Sequence, residues 1–141
     1  MVTLNLNAAD KELATLNTEV QDTLKAGGRV LFISQRQLLT FDLIDKVPLD
    51  PQYELLDLME MAMSNNQVYL QQFYRDLQAH RYNLIVVDRQ TIMFQNLDSS
   101  FSAEDNVWVE KVSIPLLNNY QEKTLLTSSD IQLLVPRTAK Q

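Results

Sequence analysis

Leu84-Ile85-Val86-Val87-Asp88 decides how this sequence is read, and Val30-Leu31-Phe32-Ile33-Ser34 repeats its pattern. Each is four consecutive apolar residues closed by a polar one. Consecutive rather than alternating apolar residues mark a strand covered on both faces, and such short runs fit strands better than helices. The two runs predict neighbouring strands in the middle of a sheet flanked by helices, with Arg29–Ser34 and Tyr82–Asp88 as their extents.

Before the first strand, Leu13, Leu16, Val20 and Leu24 recur at helical spacing. Asn7 is the expected N-cap, with Asp10 in the first turn. Gly27-Gly28, the only glycines, supply the left-handed residue with which helices end, so the helix covers about residues 8–26. After the strand, Gln35–Leu43 reads as a short helix or turn that turns Leu38, Leu39 and Leu43 inward. Pro48 and Pro51 bracket a loop, because each fixes its own φ and biases its predecessor to extended form. Tyr53–Leu58 reads as a further strand, and Met59–Met63 as either its end or a helix. Ser64 or Asn65 is expected to cap a helix with Leu70, Phe73, Tyr74 and Leu77 on one face. That helix closes at His80-Arg81.

Beyond the second strand, Arg89–Phe101 reads as an exposed loop. Ser102 with Asp105 three residues on resembles a capping box. The helix it opens carries Trp108, Val112 and Leu116 and should kink near Pro115. Thr124–Thr127 and Ile131–Val135 are strands joined by Ser128-Ser129-Asp130, a span so short that they must be antiparallel. Helices alternating with strands predict a single α/β domain over residues 1–141 with its core at 29–137. The expected fold is a three-layer, Rossmann-like mixed sheet, mostly parallel, with a C-terminal antiparallel hairpin.

Composition removes several classes of function. The 141 residues are 45% hydrophobic and 21% charged, ordinary for one packed domain. The net charge of −6 opposes binding to phosphate backbones or anionic lipid. With no Cys there are no disulfides and no thiolate chemistry, and a single His, His80, rules out a two-His metal site within one chain. No apolar run approaches the ~20 residues a membrane helix needs, and Met1–Asn7 carry no basic run followed by an apolar core, so no signal peptide is expected there. The abrupt ends fit a piece of a longer protein as well as a complete small one.

Ligands of open α/β sheets bind beyond the carboxyl ends of the strands. Those ends supply the candidate ligand-binding residues Ser34, Gln35, Arg36, Asp88 and Arg89. Arg36 and Arg89 could clamp a carboxylate or phosphate, with Asp88 as base or metal ligand, against the ordinary reading that strand ends simply meet solvent. Neither G-x-G-x-x-G nor G-x-x-x-x-G-K occurs, so glycine-rich phosphate loops are excluded. Asp88 alone does not make a phosphorylated receiver site, because the acidic pair and lysine that go with it are missing. No G-x-S-x-G elbow accompanies His80, which reads as a helix-terminus residue. Asp42/Asp45 and Glu54/Asp57/Glu60 read as solvated acidic faces. Met59, Met61 and Met63 read as core before partner surface. No catalytic residue, metal ligand or cofactor is assigned from these patterns.

Val30-Leu-Phe-Ile-Ser34, Tyr82-Asn-Leu-Ile-Val-Val-Asp88, Leu116-Leu-Asn-Asn-Tyr120 and Gln132-Leu-Leu-Val-Pro-Arg137 follow a recurring order. It resembles the soluble tail after the last span of polytopic membrane glycosyltransferases of the dolichyl-phosphate-mannose mannosyltransferase type, and of uncharacterised bacterial membrane proteins like them. Phe32-Ile-Ser-Gln-Arg-Gln-Leu-Leu-Thr-Phe41 with Leu58-Met-Glu-Met-Ala-Met-Ser64 is similar to the bacterial group in particular. The resemblance covers about residues 29–137. In those families the catalytic acids lie between early membrane spans, so none is carried over to this chain. It implies an extracytoplasmic, non-catalytic accessory domain, tethered to and partnered by the membrane-spanning part of its own parent protein. The alternative is a self-contained α/β module that binds a small anionic ligand or a protein partner.

Overall fold

The structure is a computed structural model that describes residues 8–40, 53–92 and 102–138. Four strands, β1 (Val30–Phe32), β2 (Leu84–Asp88), β3 (Tyr120–Leu126) and β4 (Ile131–Pro136), form one sheet in the order β1-β2-β4-β3. The two apolar runs are indeed neighbours: β1 and β2 are parallel, with Val30 opposite Leu84 and Phe32 opposite Val86. β4 lies antiparallel on the other side of β2, and β3 antiparallel to β4 at the edge.

The fold is therefore mixed α/β, but the mostly parallel, Rossmann-like sheet expected from the sequence does not form. One adjacent pair is parallel and the others are antiparallel. Two physical reasons account for this. Tyr53–Leu58 is not a strand, so the described residues supply no further parallel strand. The hairpin also inserts β4 directly beside β2, and the turn at 127–130 leaves β3 no direction but the opposite one. Edge strand β3 is protected by a bulge between Glu122 and Thr124. Lys123, at the bulge, pairs with Glu19 at 2.6 Å.

Helices cover both faces, and strand alternation assigns the residues. Val30, Phe32, Leu84, Val86 and Leu133 pack with Leu16 and Val20 of α1 (Ala8–Lys25). Leu38 of α2 (Gln37–Thr40) joins that side. Leu31, Ile33, Ile85, Val87 and Leu134 pack on the opposite face against α3 (Leu55–Met63), α4 (Gln67–Gln78) and the helical stretch from residue 102 to 119. α3 takes the place of the strand expected at Tyr53–Leu58. Leu58 and Ala62 recur at helical spacing on its buried side, and the Glu54 carboxylate accepts from the amides of Leu56 and Asp57 as a cap. Met63, expected in the core, is 46% exposed.

Three helix ends share one solution. After α1, α3 and α4 the residue beyond the cap is left-handed: Gly27 (φ 83°), Asn65 (φ 53°) and His80 (φ 52°). In each, the amide of the following residue reaches back five places, Gly28 to Thr23, Asn66 to Met61 and Arg81 to Asp76. Asn65 thus ends α3 rather than starting α4. The N-cap of α4 is Asn66, whose side chain accepts from the Tyr69 amide at 3.1 Å. His80 is exposed and sets its ring edge-on to Tyr120, a helix-terminus role as the sequence suggests. The expected cap Asn7, the loop around Pro48 and Pro51, and residues 93–101 lie outside the described residues.

Ser102 opens α5 (Ser102–Trp108), which continues through a π turn (Val109–Ser113) into α6 (Ile114–Asn119). The irregularity expected at Pro115 is this π turn, with the Ile114 amide reaching back to the Val109 carbonyl. Pro115 has no N–H to give the carbonyl of Lys111, four residues earlier. The Tyr74 hydroxyl donates to that freed oxygen at 2.8 Å and so fixes α4 to the turn.

Two buried polar groups tie the helical face together. Asp76 accepts from the Tyr53 hydroxyl at 2.5 Å, Arg81 at 3.0 Å and Gln72 at 3.0 Å. The Tyr120 hydroxyl donates to the Tyr82 carbonyl at 2.7 Å and accepts from the Tyr82 amide at 3.3 Å. Burial pushes the Tyr120 phenol up to about 12; the bond to the Tyr82 backbone opposes the shift and the charge on Asp76 adds to it. The unfolded chain releases this proton near pH ~10. The tyrosine's contribution is thus complete below pH ~10 and lost as pH rises from about 10 to about 12. Urea unfolding across that window should lose roughly 2 kcal/mol, and Tyr120→Phe should flatten the slope. An unchanged slope in the variant refutes the assignment.

Candidate functional site

The carboxyl ends of β1 and β2 bring two of the five candidate residues into contact. Gln35 follows β1 with a left-handed backbone, φ 67°, a conformation costly for a non-glycine residue. Its side chain donates from Nε2 to Oδ1 of Asp88 at 2.8 Å, and its own Oε1 accepts from Gln37 at 2.9 Å. The carboxylate that closes β2 is thus held by an amide, and among the described residues no cation stands within ion-pair distance of it.

The two arginines turn elsewhere. Arg36 folds back along β1 and donates from Nε to the Phe32 carbonyl at 2.7 Å. Arg89 donates its backbone amide to Asp130 at 2.9 Å and sets its guanidinium 3.9 Å from the Asp130 carboxylate. Both side chains of that last pair are more than half exposed, so it contributes little. Ser34 is 3% exposed, and its hydroxyl has no hydrogen-bond partner among the described residues.

A second set of residues at the same end of β2 escaped the sequence reading. The Gln90 side chain accepts at Oε1 from the Trp108 indole (2.9 Å) and from the Ser113 hydroxyl (2.6 Å), and donates at Nε2 to the Asp88 carbonyl (2.7 Å). Its backbone amide donates to Gln132, whose Nε2 in turn donates to Glu122 at 3.0 Å. Gln90 therefore fastens the helix containing the π turn to the end of the sheet. Carboxamides have no spacing signature, and the one available hint was the Trp108/Ser113 pair on a single helix ahead of Pro115.

Beside Gln35, on the α1 side, lies a cleft of about 210 Å³ whose polar lining includes Asp10 and Glu12. The Glu12 carboxylate is already occupied by the amides of Ser128 and Ser129, both at 2.8 Å, and by the Ser129 hydroxyl at 2.7 Å. Desolvation raises this carboxyl, and the serine hydrogen bonds outweigh it, leaving the pKa below the usual carboxylate value. Carboxylates in the wall make the cleft unfavourable for an anion.

Of the acidic cluster in α3, Glu54 caps the helix and Asp57 lies in its first turn, where the helix dipole favours negative charge. Among the described residues no group of three His, Asp or Glu side chains could hold a metal ion. No described helix is long and apolar enough to cross a membrane. Chemically, the sheet end is a polar seam in which the Asp88 carboxylate and the carboxamides of Gln35 and Gln90 are hydrogen-bonded, with the buried Ser34 hydroxyl beside them unpaired among the described residues. Comparison with protein-family models, with curated proteins and with solved structures finds no match for this chain.

Proposed function

We propose that the chain is a non-catalytic accessory domain of a membrane glycosyltransferase-like protein, held at the extracytoplasmic face by spans outside this sequence. The observation that carries this reading is spatial. Three segments that bear the resemblance form β1, β2 and β4, which are consecutive in the sheet, and the fourth leads through α6 into β3. The resemblance thus follows the buried strands of the sheet rather than its exposed loops. The hydrogen bonds that tie Gln35 to Asp88 and Gln90 to the π turn agree with a supporting role rather than turnover. The rival reading, a module for a small anion at the Ser34–Arg36 and Asp88–Arg89 rim, is disfavoured by the carboxylates of Asp10 and Glu12 in the neighbouring cleft.

Fractionating native cells and blotting with an antibody against this chain tests the proposal. The expected signal is a polypeptide much larger than 16.3 kDa in the membrane pellet, resistant to carbonate washing. It should be trimmed by protease added outside intact spheroplasts. A free chain of 16.3 kDa in the wash overturns the proposal.

A further inference from the structure

The two clefts on either side of α4 differ chemically from the rest of this acidic chain. One, of about 770 Å³, has Met61, Val68 and Tyr69 in its walls beside Gln71, Gln72 and Arg75. The other, of about 270 Å³, lies between α4 and α6, with Gln71, Arg75, Gln78 and Asn118 in its walls. Gln71 and Arg75 line both, so the clefts meet across one ridge of the helix. The chain carries eighteen Asp and Glu side chains, yet among the described residues none lines either cleft, and Arg75 is the one charged side chain in their walls.

The ridge is ordered from beneath. Buried Asp76 takes the Nε2 of Gln72 at 3.0 Å, and the Oε1 of Gln72 in turn accepts from Arg75 at 3.4 Å. The Tyr69 ring is set edge-on against buried Tyr53, with centroids 5.7 Å apart. By contrast Gln71, Gln78 and Asn118 are exposed and make no side-chain hydrogen bond to any described residue. The held neighbours fix the walls of the clefts, and the three carboxamides keep their donors and acceptors open to a ligand.

Carboxamides offer two donors and an acceptor in one plane. Neighbouring sugar hydroxyls, each a donor and an acceptor, match that set, while a ring such as Tyr69 can cover the C–H face of a pyranose. An anionic ligand has one guanidinium to meet and a net charge of −6 to overcome, and a cationic one finds no carboxylate among the described residues that line the clefts. A protein partner would want a desolvated apolar centre; Met61 and Val68 give the larger cleft an apolar edge, but the ridge shared by both clefts is Gln71 and Arg75. We propose that the α4 ridge, from Tyr69 across Gln71 and Arg75 to Gln78 and Asn118, binds a neutral oligosaccharide long enough to occupy both clefts. This goes beyond the accessory-domain reading and does not depend on it.

The test is a proton–nitrogen correlation titration of the full chain with maltopentaose, cellopentaose and α-1,6-linked mannopentaose. At least one should move the side-chain amides of Gln71, Gln78 and Asn118 saturably, with a dissociation constant of about 1 mM. Gln71→Ala should weaken it about tenfold while leaving the melting temperature nearly unchanged, because Gln71 is exposed. The proposal is overturned if none of the three sugars moves these amides at about 20 mM, well above that constant. It also falls if Gln71→Ala binds as well as the parent, if a hyaluronan tetrasaccharide alone binds, or if the amides respond only to self-association.

Discussion

Asp76→Ala is expected to lower the stability of this chain by about 3 kcal/mol, or roughly 10 °C in Tm. The carboxylate is buried on α4 and takes hydrogen bonds from Tyr53, Arg81 and Gln72. Truncation removes the common acceptor of three donors and leaves the Tyr53 hydroxyl in a place where water does not reach. The Arg81 side chain is one-third exposed and regains hydration, which keeps the loss at the lower end of the range for a broken buried pair. Asp76→Asn keeps an acceptor and should cost about 1 kcal/mol. Urea unfolding at neutral pH distinguishes the two. A loss below about 1 kcal/mol for the alanine variant would show that the network does not hold in solution.

Phe73→Ala should cost still more, about 4 kcal/mol. Phe73 is fully buried one turn before Leu77, and its ring centroid lies 5.0 Å from that of Tyr53 and 6.0 Å from that of Tyr74. The ring therefore joins α4 to the segment that leads into α3 and to the tyrosine that anchors the π turn. Removing it opens a cavity that neighbours anchored by their own hydrogen bonds cannot close. Phe73→Leu should cost about 1.5 kcal/mol, and Val68→Ala on the same helix, at a position 85% exposed, nearly nothing. Against a typical total of ~5–15 kcal/mol, the alanine variant takes a large share of the stability. Because Phe73 and Asp76 both act on Tyr53, the double variant should lose less than the sum. Strict additivity would mean that Tyr53 does not couple them.

The centre of this fold is readable without coordinates. Buried strands announce themselves as unbroken apolar runs, so β1, β2 and their adjacency follow from residues 30–34 and 84–88. α1 is bounded by periodicity and Gly27, and the β3–β4 turn by Ser128-Ser129-Asp130. Tyr53–Leu58 misleads because alternating and helical patterns overlap over so few residues. The capping carboxylate of Glu54 and the distant Ala62 decide for the helix. β3 begins at Tyr120 rather than Thr124, since an edge strand with a bulge can carry the polar run Gln121-Glu122-Lys123 without any apolar alternation. Strand order was illegible because nothing local says which edge of β2 a hairpin will join. At the sheet end, Gln35 and Asp88 were found by their place after strands. The Gln90–Trp108–Ser113 cluster depends on a π turn, whose geometry is set by a proline and a tyrosine from another helix.

α1 is the main cover of one whole side of the sheet, and at its outer end it is fastened to the hairpin by Glu12, a carboxylate 116 residues away from its partner Ser128. Clipping the backbone near Gly27-Gly28, or starting the polypeptide at residue 29, would strip that cover. Val30, Phe32, Leu84, Val86 and Leu133 would then face water as a greasy plane, which stacks readily on its own kind. Shortened versions should precipitate or form large particles where the intact chain disperses, so any preparation of this domain needs its leading helix left on.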